Sequence, residues 1–110
     1  MSQTASKKYT IRRYTDKTYT LRLTGFDFTV VEGIHVTFAQ NNTAIFDMPD
    51  PTVMTNEVIQ FHVTQEQSGL LQTDRPAELY VNWIANGERD ARGPLVLTVL
   101  PNQPEEELHE

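Results

Sequence analysis

Cysteine is absent from the 110-residue chain. A disulfide framework and thiolate metal sites are therefore excluded, which fits folding in a reducing cytosol, though cysteine-free extracellular particles are also common. No apolar run approaches the roughly 18 residues that a membrane span requires. The opening MSQTASKKYT has no apolar core of a secretory leader. Basic charge is scarce too: nine Lys and Arg face fifteen Asp and Glu, for a net charge of −6. That balance argues against a general nucleic-acid binder. Helical periodicity is almost missing, and so are glycine-rich phosphate loops and G-x-S-x-G elbows, with neither Ser2 nor Ser68 in a nucleophile context.

What is present is alternation. The stretch AELYVNWIANGERDARGPLVLTV, residues Ala77–Val99, places Asn86-Gly87 between two strand-like runs. Both residues tolerate the positive φ of a type I′ turn, so a long hairpin is predicted here. Upstream, Tyr9, Ile11 and Arg13 alternate with Thr10, Arg12 and Tyr14, and a turn at Thr15-Asp16-Lys17 leads into Tyr19, Leu21 and Leu23. These two runs read as a strand pair with one wet face. A glycine-bracketed connector, Gly25–Gly33, offers Phe26, Phe28 and Val30 as a plug for one end of the core. Ile34, Val36 and Phe38 then face inward, with His35, Thr37 and Gln40 opposite.

Asn41-Asn42 predicts a tight turn into an edge-like strand at Thr43–Asp47. It also forms a glycosylation sequon with Thr43, read as chance. Pro49-Asp50-Pro51 blocks pairing and forces a corner before a short run at Thr52–Met54. Ile59, Phe61 and Val63 share one face of the next strand. Thr64-Gln65-Glu66-Gln67 matches a capping box, and Gly69 stops the helical turn, with Leu70 and Leu71 tucked beneath it. Seven to eight short strands with one helical turn predict an all-β, antiparallel sandwich, with a closed barrel as the rival. The proline corner and the helical turn favour the sandwich as crossings between sheets. The organisation expected is a flexible arm at 1–7, a sandwich at 8–100 and an acidic disordered tail at 101–110.

Chemistry is sparse. His35 and His62 fall opposite the apolar sets and should face solvent, with no metal-ligand spacing around either, and His109 sits in the tail. Asp47/Asp50 and Glu88/Asp90 flank turns, where turn chemistry explains them better than a calcium loop. No catalytic, cofactor-binding or metal-binding residue is expected, and no enzyme. Trp83 alternates with Leu79 and Val81 and should be core. Tyr80 and Tyr14 are the candidates for a sugar-stacking surface, which would need several coplanar aromatics on one face. Charge is uneven: Lys7, Lys8, Arg12, Arg13, Lys17 and Arg22 precede position 23, while Glu105, Glu106, Glu107 and Glu110 close the chain. Either these are solvated ends or they form an electrostatic contact.

The order of elements resembles the small immunoglobulin-like domain of bacteriophage virion proteins, typified by the N-terminal domain of siphophage baseplate upper proteins. The matching parts are Val63–Leu70 with its helical turn, Leu79–Trp83, Asn86-Gly87 and the closing Gly93–Leu97, within residues 8–100. The chain departs from the family pattern at Thr15-Asp16-Lys17 and in its acidic tail, where the family carries a fibre or coiled coil. The resemblance implies an immunoglobulin-like fold and a non-enzymatic structural role in a virion, as a tail, baseplate, fibre-attachment or head component made in the bacterial cytoplasm. It implies as partners other virion subunits and the chain itself in a ring or array; no cofactor, nucleic acid or membrane is expected, and a glycan only under the carbohydrate-binding alternative. The residues expected to carry contacts are Arg12, Arg13 and Arg22 with Tyr14 and Tyr80. The acidic neighbour for the arginines would be Glu105, Glu106 and Glu107 or another subunit. The alternatives are a carbohydrate-binding module and a non-viral interaction domain.

Overall fold

The computed structural model describes residues 9–101. The strands are β1 (Tyr9–Arg12), β2 (Lys17–Arg22), β3 (Glu32–Gln40), β4 (Thr43–Pro49), β5 (Thr52–Val53), β6 (Val58–Val63), β7 (Ala77–Ala85) and β8 (Glu88–Leu100). They form a five-stranded sheet, β1-β8-β7-β3-β4, packed on a three-stranded sheet, β2-β6-β5. The result is an all-β, immunoglobulin-like sandwich with one short helix, α1 (Gln65–Gly69), and a single 3₁₀ turn at Phe28–Val30. Two separate sheets exclude the closed barrel. The chain changes sheet after β1, β2, β4 and β6, so the proline corner and the helical turn are indeed crossings.

Local chemistry accounts for the turns. Asn86 and Gly87 have φ of 53° and 78°, which closes the β7–β8 hairpin as a primed turn, and Asn41 and Asn42 do the same for β3–β4 with φ of 54° and 62°. At α1 the Thr64 hydroxyl accepts from the Gln67 N–H at 3.1 Å, while the Gln67 side chain accepts from the Thr64 N–H at 2.9 Å. Two N–H groups that a helix start leaves orphaned are thereby satisfied.

The core lies between the sheets. Val36 and Phe38 from β3, Ile59, Phe61 and Val63 from β6, and Leu79, Val81 and Trp83 from β7 are all buried. Phe38 stacks on Phe46 with centroids 4.7 Å apart and meets Phe61 edge-on at 6.2 Å. Phe26 bridges Phe28 and Trp83, at 4.8 and 4.3 Å, so two of the connector's three apolar residues plug that end as expected. Each such side chain stabilises the fold by roughly 1.5–3 kcal/mol through removal of apolar surface from water.

Four expectations are corrected. β1 does not pair with β2: it pairs in parallel with β8, from Tyr9↔Leu97 to Arg12↔Leu100, while β2 pairs antiparallel with β6. The alternation in Tyr9–Tyr14 stops early because Tyr14 takes a φ of 58° and carries the chain across to the other sheet. Val30 and Leu70 are exposed rather than tucked in, whereas Phe28 and Leu71 beside them are buried. Gln40, grouped with the outward polar residues, is 2% exposed.

Candidate functional site

The three arginines expected to form one basic face serve three separate joints. Arg12 donates from Nη1 to the Pro101 carbonyl at 2.8 Å, pinning the start of the last segment to β1. Arg13 donates from Nη2 to the Gly69 carbonyl at 2.8 Å and lies 4.9 Å from the Tyr14 ring, joining the β1–β2 crossing to α1. Arg22 pairs with Glu57 at 2.7 Å in the other sheet. They are dispersed because β1 and β2 belong to different sheets. Lys7, Lys8, Glu105, Glu106, Glu107, Glu110 and His109 lie outside the described residues, as do the arm at 1–7 and the tail beyond Pro101.

Tyr14 and Tyr80 do not share a platform. Tyr14 sits at the crossing beside α1, in a shallow depression with Asp16, Thr64, Gln65 and Glu66. Tyr80 is at mid-β7 on the outer face of the five-stranded sheet, beside Thr37, Asn82, Arg89, Asp90 and Ala91. Trp83 is core, 5% exposed, as the alternation predicts.

Both strand histidines have carboxylate partners that the sequence reading missed. His35 Nδ1 lies 2.7 Å from Asp47 Oδ2, and the Thr37 hydroxyl donates to Asp47 Oδ1 at 2.7 Å. Asn82 donates to Thr37 Oγ1 at 3.2 Å, and Arg89 donates to Asn82 Oδ1 at 3.1 Å. This chain of polar groups crosses β4, β3, β7 and β8 on the outer sheet face. On the other sheet, His62 bridges the Thr18 hydroxyl at 2.9 Å and the Asp16 carboxylate. The hydroxyl–imidazole–carboxylate order is that of a nucleophile relay, but the His62 and Asp16 side chains are 50% and 60% exposed, so water screens the coupling such a relay needs. Among the described residues no cluster of three or more His, Asp or Glu is placed to hold a metal ion.

Burial pushes the Asp47 carboxyl up, but the hydrogen bonds from Thr37 and His35 and the nearby positive charges outweigh it, leaving the group below its ordinary value. Glu57 is also held low, first by the Gly25 N–H and then by Arg22. A carboxylate depressed in the folded state stabilises it above the unfolded-state value and loses that contribution as pH falls through the folded one. Urea midpoints should therefore be flat from about pH 7 to about pH 5 and drop below about pH 4. Asp47→Asn should shrink the drop; an unchanged profile would show that the polar chain contributes nothing to acid sensitivity.

A cleft of about 620 Å³ opens between β2 and β8. Phe38, Phe61, Leu79 and Val81 form its floor, with Tyr19 and Leu21 on the β2 wall and Leu95 on the β8 wall. Among the described residues, β1 covers only the last four residues of β8, which leaves the edge before them open to the cleft. A one-residue bulge at Gly93-Pro94, opposite Tyr80 alone, lies on its β8 wall: Leu79 pairs with Leu95 and Val81 with Arg92, leaving two residues facing one. Alternation marked the floor residues as core, but no sequence signal told which side of the sandwich stays open.

No family model matches the chain, and no curated protein matches it. Among solved structures, the chain is similar to the immunoglobulin-like domain of mouse leukocyte-associated immunoglobulin-like receptor 1, crystallised as a strand-swapped dimer. The TM-score is 0.47 at 9% sequence identity, covering 91% of this chain and 95% of that one, a likeness of general fold.

Proposed function

We propose that this chain is a non-enzymatic assembly module of a bacteriophage particle, which holds neighbouring virion subunits through its sheet edges and faces. The observation that carries the assembly reading is the cleft between β2 and β8, where the half-buried Tyr19, Leu21 and Leu95 lie along two strand edges that lack partners among the described residues. Unpaired edges flanked by partly exposed apolar side chains are features through which sandwich domains join other chains. The phage setting is supported by the order of strands and turns in residues 8–100, from the helical turn at Thr64–Gly69 to the closing Gly93–Leu97. The reading places the chain in the virion after synthesis in the host cytoplasm, with other subunits and copies of itself as neighbours. It requires no cofactor.

The test is electron microscopy of phage particles purified from the strain that carries the gene, labelled with antibody raised against residues 9–101. Label at one repeated position on the particle is expected. Label absent from particles but present in the host cell would replace this reading with a cellular interaction domain.

A further inference from the structure

The cleft between β2 and β8 has a definite chemistry. Within the described residues, Glu88–Val96 of β8 has a neighbour on the β7 side only, and β2 has a neighbour on the β6 side only. Backbone donors and acceptors on both rims, apart from the N–H that Pro94 lacks, are thus available to an added strand. Between them the half-buried Tyr19, Leu21 and Leu95 line the cleft above the buried floor, and these would meet side chains from alternate positions of that strand.

The rim carries one sign of charge. Among the described residues, Arg22 and Arg92 line the cleft and no carboxylate does. Arg22 is engaged by Glu57, whereas Arg92 has no ion-pair partner among the described residues and rests 5.7 Å from the Phe26 ring centroid. Arg92 pairs with the inward Val81, so its stem starts on the core side of the sheet, at the end of the cleft. An inward cation on an open edge discourages a purely apolar strand and favours one that brings a negative charge.

We propose that the cleft is a strand-accepting site for an extended segment of another protein, with apolar side chains at alternate positions and a carboxylate at the end that meets Arg92. The chain's own ends fit less well. Residues 1–8 contain Lys7 and Lys8 and no acid, so they bring like charge to Arg92. The stretch after Pro101 is acidic but has Leu108 as its only large apolar residue. Five residues of open edge, from Arg92 to Val96, match a segment of about 17 Å. The proposal specifies the partner of the assembly reading above, yet its test needs no particle, so either can fail alone.

The experiment is a solution NMR titration of the full chain with two blocked heptapeptides, EVTVTVE and KVTVTVK. Amide shifts confined to residues 19–23 and to Arg92, Gly93, Leu95 and Val96 are expected, with the acidic peptide binding at least about tenfold more tightly. Arg92→Glu, an exposed substitution whose fold is checked by circular dichroism, should reverse that preference. Equal binding of the two peptides, or no shifts at these amides, overturns the proposal. Shifts that emerge only after deletion of residues 1–8 would make the chain's own start the occupant and overturn it as well. So would a dimer by sedimentation that Arg92→Ala strengthens, since Arg92 would then only guard the edge against a second copy.

Discussion

Gly93→Ala should destabilise the sandwich by about 3–5 kcal/mol, seen as a lower urea midpoint with an unchanged slope. Two independent costs combine. Gly93 has a φ of 142°, a conformation that side-chain-bearing residues rarely adopt, and forcing one into it costs about 1–3 kcal/mol. A Cβ at this position would also stand 2.8 Å from the Leu79 carbonyl oxygen and 3.1 and 3.3 Å from Tyr80 Cδ1 and Cα. Two of those three neighbours are backbone atoms of the central strand β7, which cannot step aside without breaking the ladder on both its edges. Gly87→Ala is the control. Gly87 also has a positive φ, 78°, but nothing lies within 4 Å of its would-be Cβ. It should cost only the backbone share, about 1 kcal/mol. If the two variants lose the same stability, the close approach at the bulge is not what requires glycine at position 93.

The bulge also marks where the sequence stops being readable. The hairpin itself is written locally: Asn86-Gly87 supplies two consecutive positive φ values, and the flanking alternation sets which residues face in. The capping box is equally local, three residues apart. The partner of β1 is not, because a strand four residues long can pair with any open edge, and its parallel match to β8 depends on contacts almost ninety residues away. Bulges conceal the polar site for the same reason. A regular ladder leaving the Asn41-Asn42 turn would set Thr37 opposite Phe46, whereas the extra residue at Ile45 moves Asp47 there instead. That one-residue shift brings Asp47 within reach of Thr37 and His35 together. Short carboxylates and imidazoles carry no pattern of their own, so their pairing becomes visible only once the register is known.

Gln40→Leu should cost about 2–4 kcal/mol although it keeps the side-chain volume and adds apolar surface. Strict alternation from Ile34 through Phe38 points Gln40 inward, and its polarity is what suggests the opposite face. The inward position is correct because the loop before β7 presents backbone groups there that need partners. The Gln40 amide donates from Nε2 to the carbonyls of Gln72 and Arg75 at 2.9 and 3.1 Å, and its Oε1 accepts from the Gln72 N–H at 2.8 Å. One side chain thus stands in for a piece of sheet, tying the end of β3 to the segment between α1 and β7. Leucine would leave one donor and two acceptors without it, each worth about 1–3 kcal/mol where water cannot replace the bond. Gln72 and Arg75 are exposed residues, so water recovers part of that loss, and this sets the range expected. Gln40→Glu separates hydrogen bonding from packing. Ionised, it can still accept from the Gln72 N–H, but its charge faces two carbonyl oxygens in a site with 2% exposure. Its folded-state value is therefore raised, and the destabilisation relative to wild type should grow as pH rises through the unfolded-state value of about 4.3. Near pH 4 the protonated acid can donate to one carbonyl and accept the N–H, so the variant should come closest to wild type there. A Gln40→Glu penalty that is the same at about pH 4 and about pH 7 would mean that the site is open to water and that the Gln40 bonds are not what holds the loop.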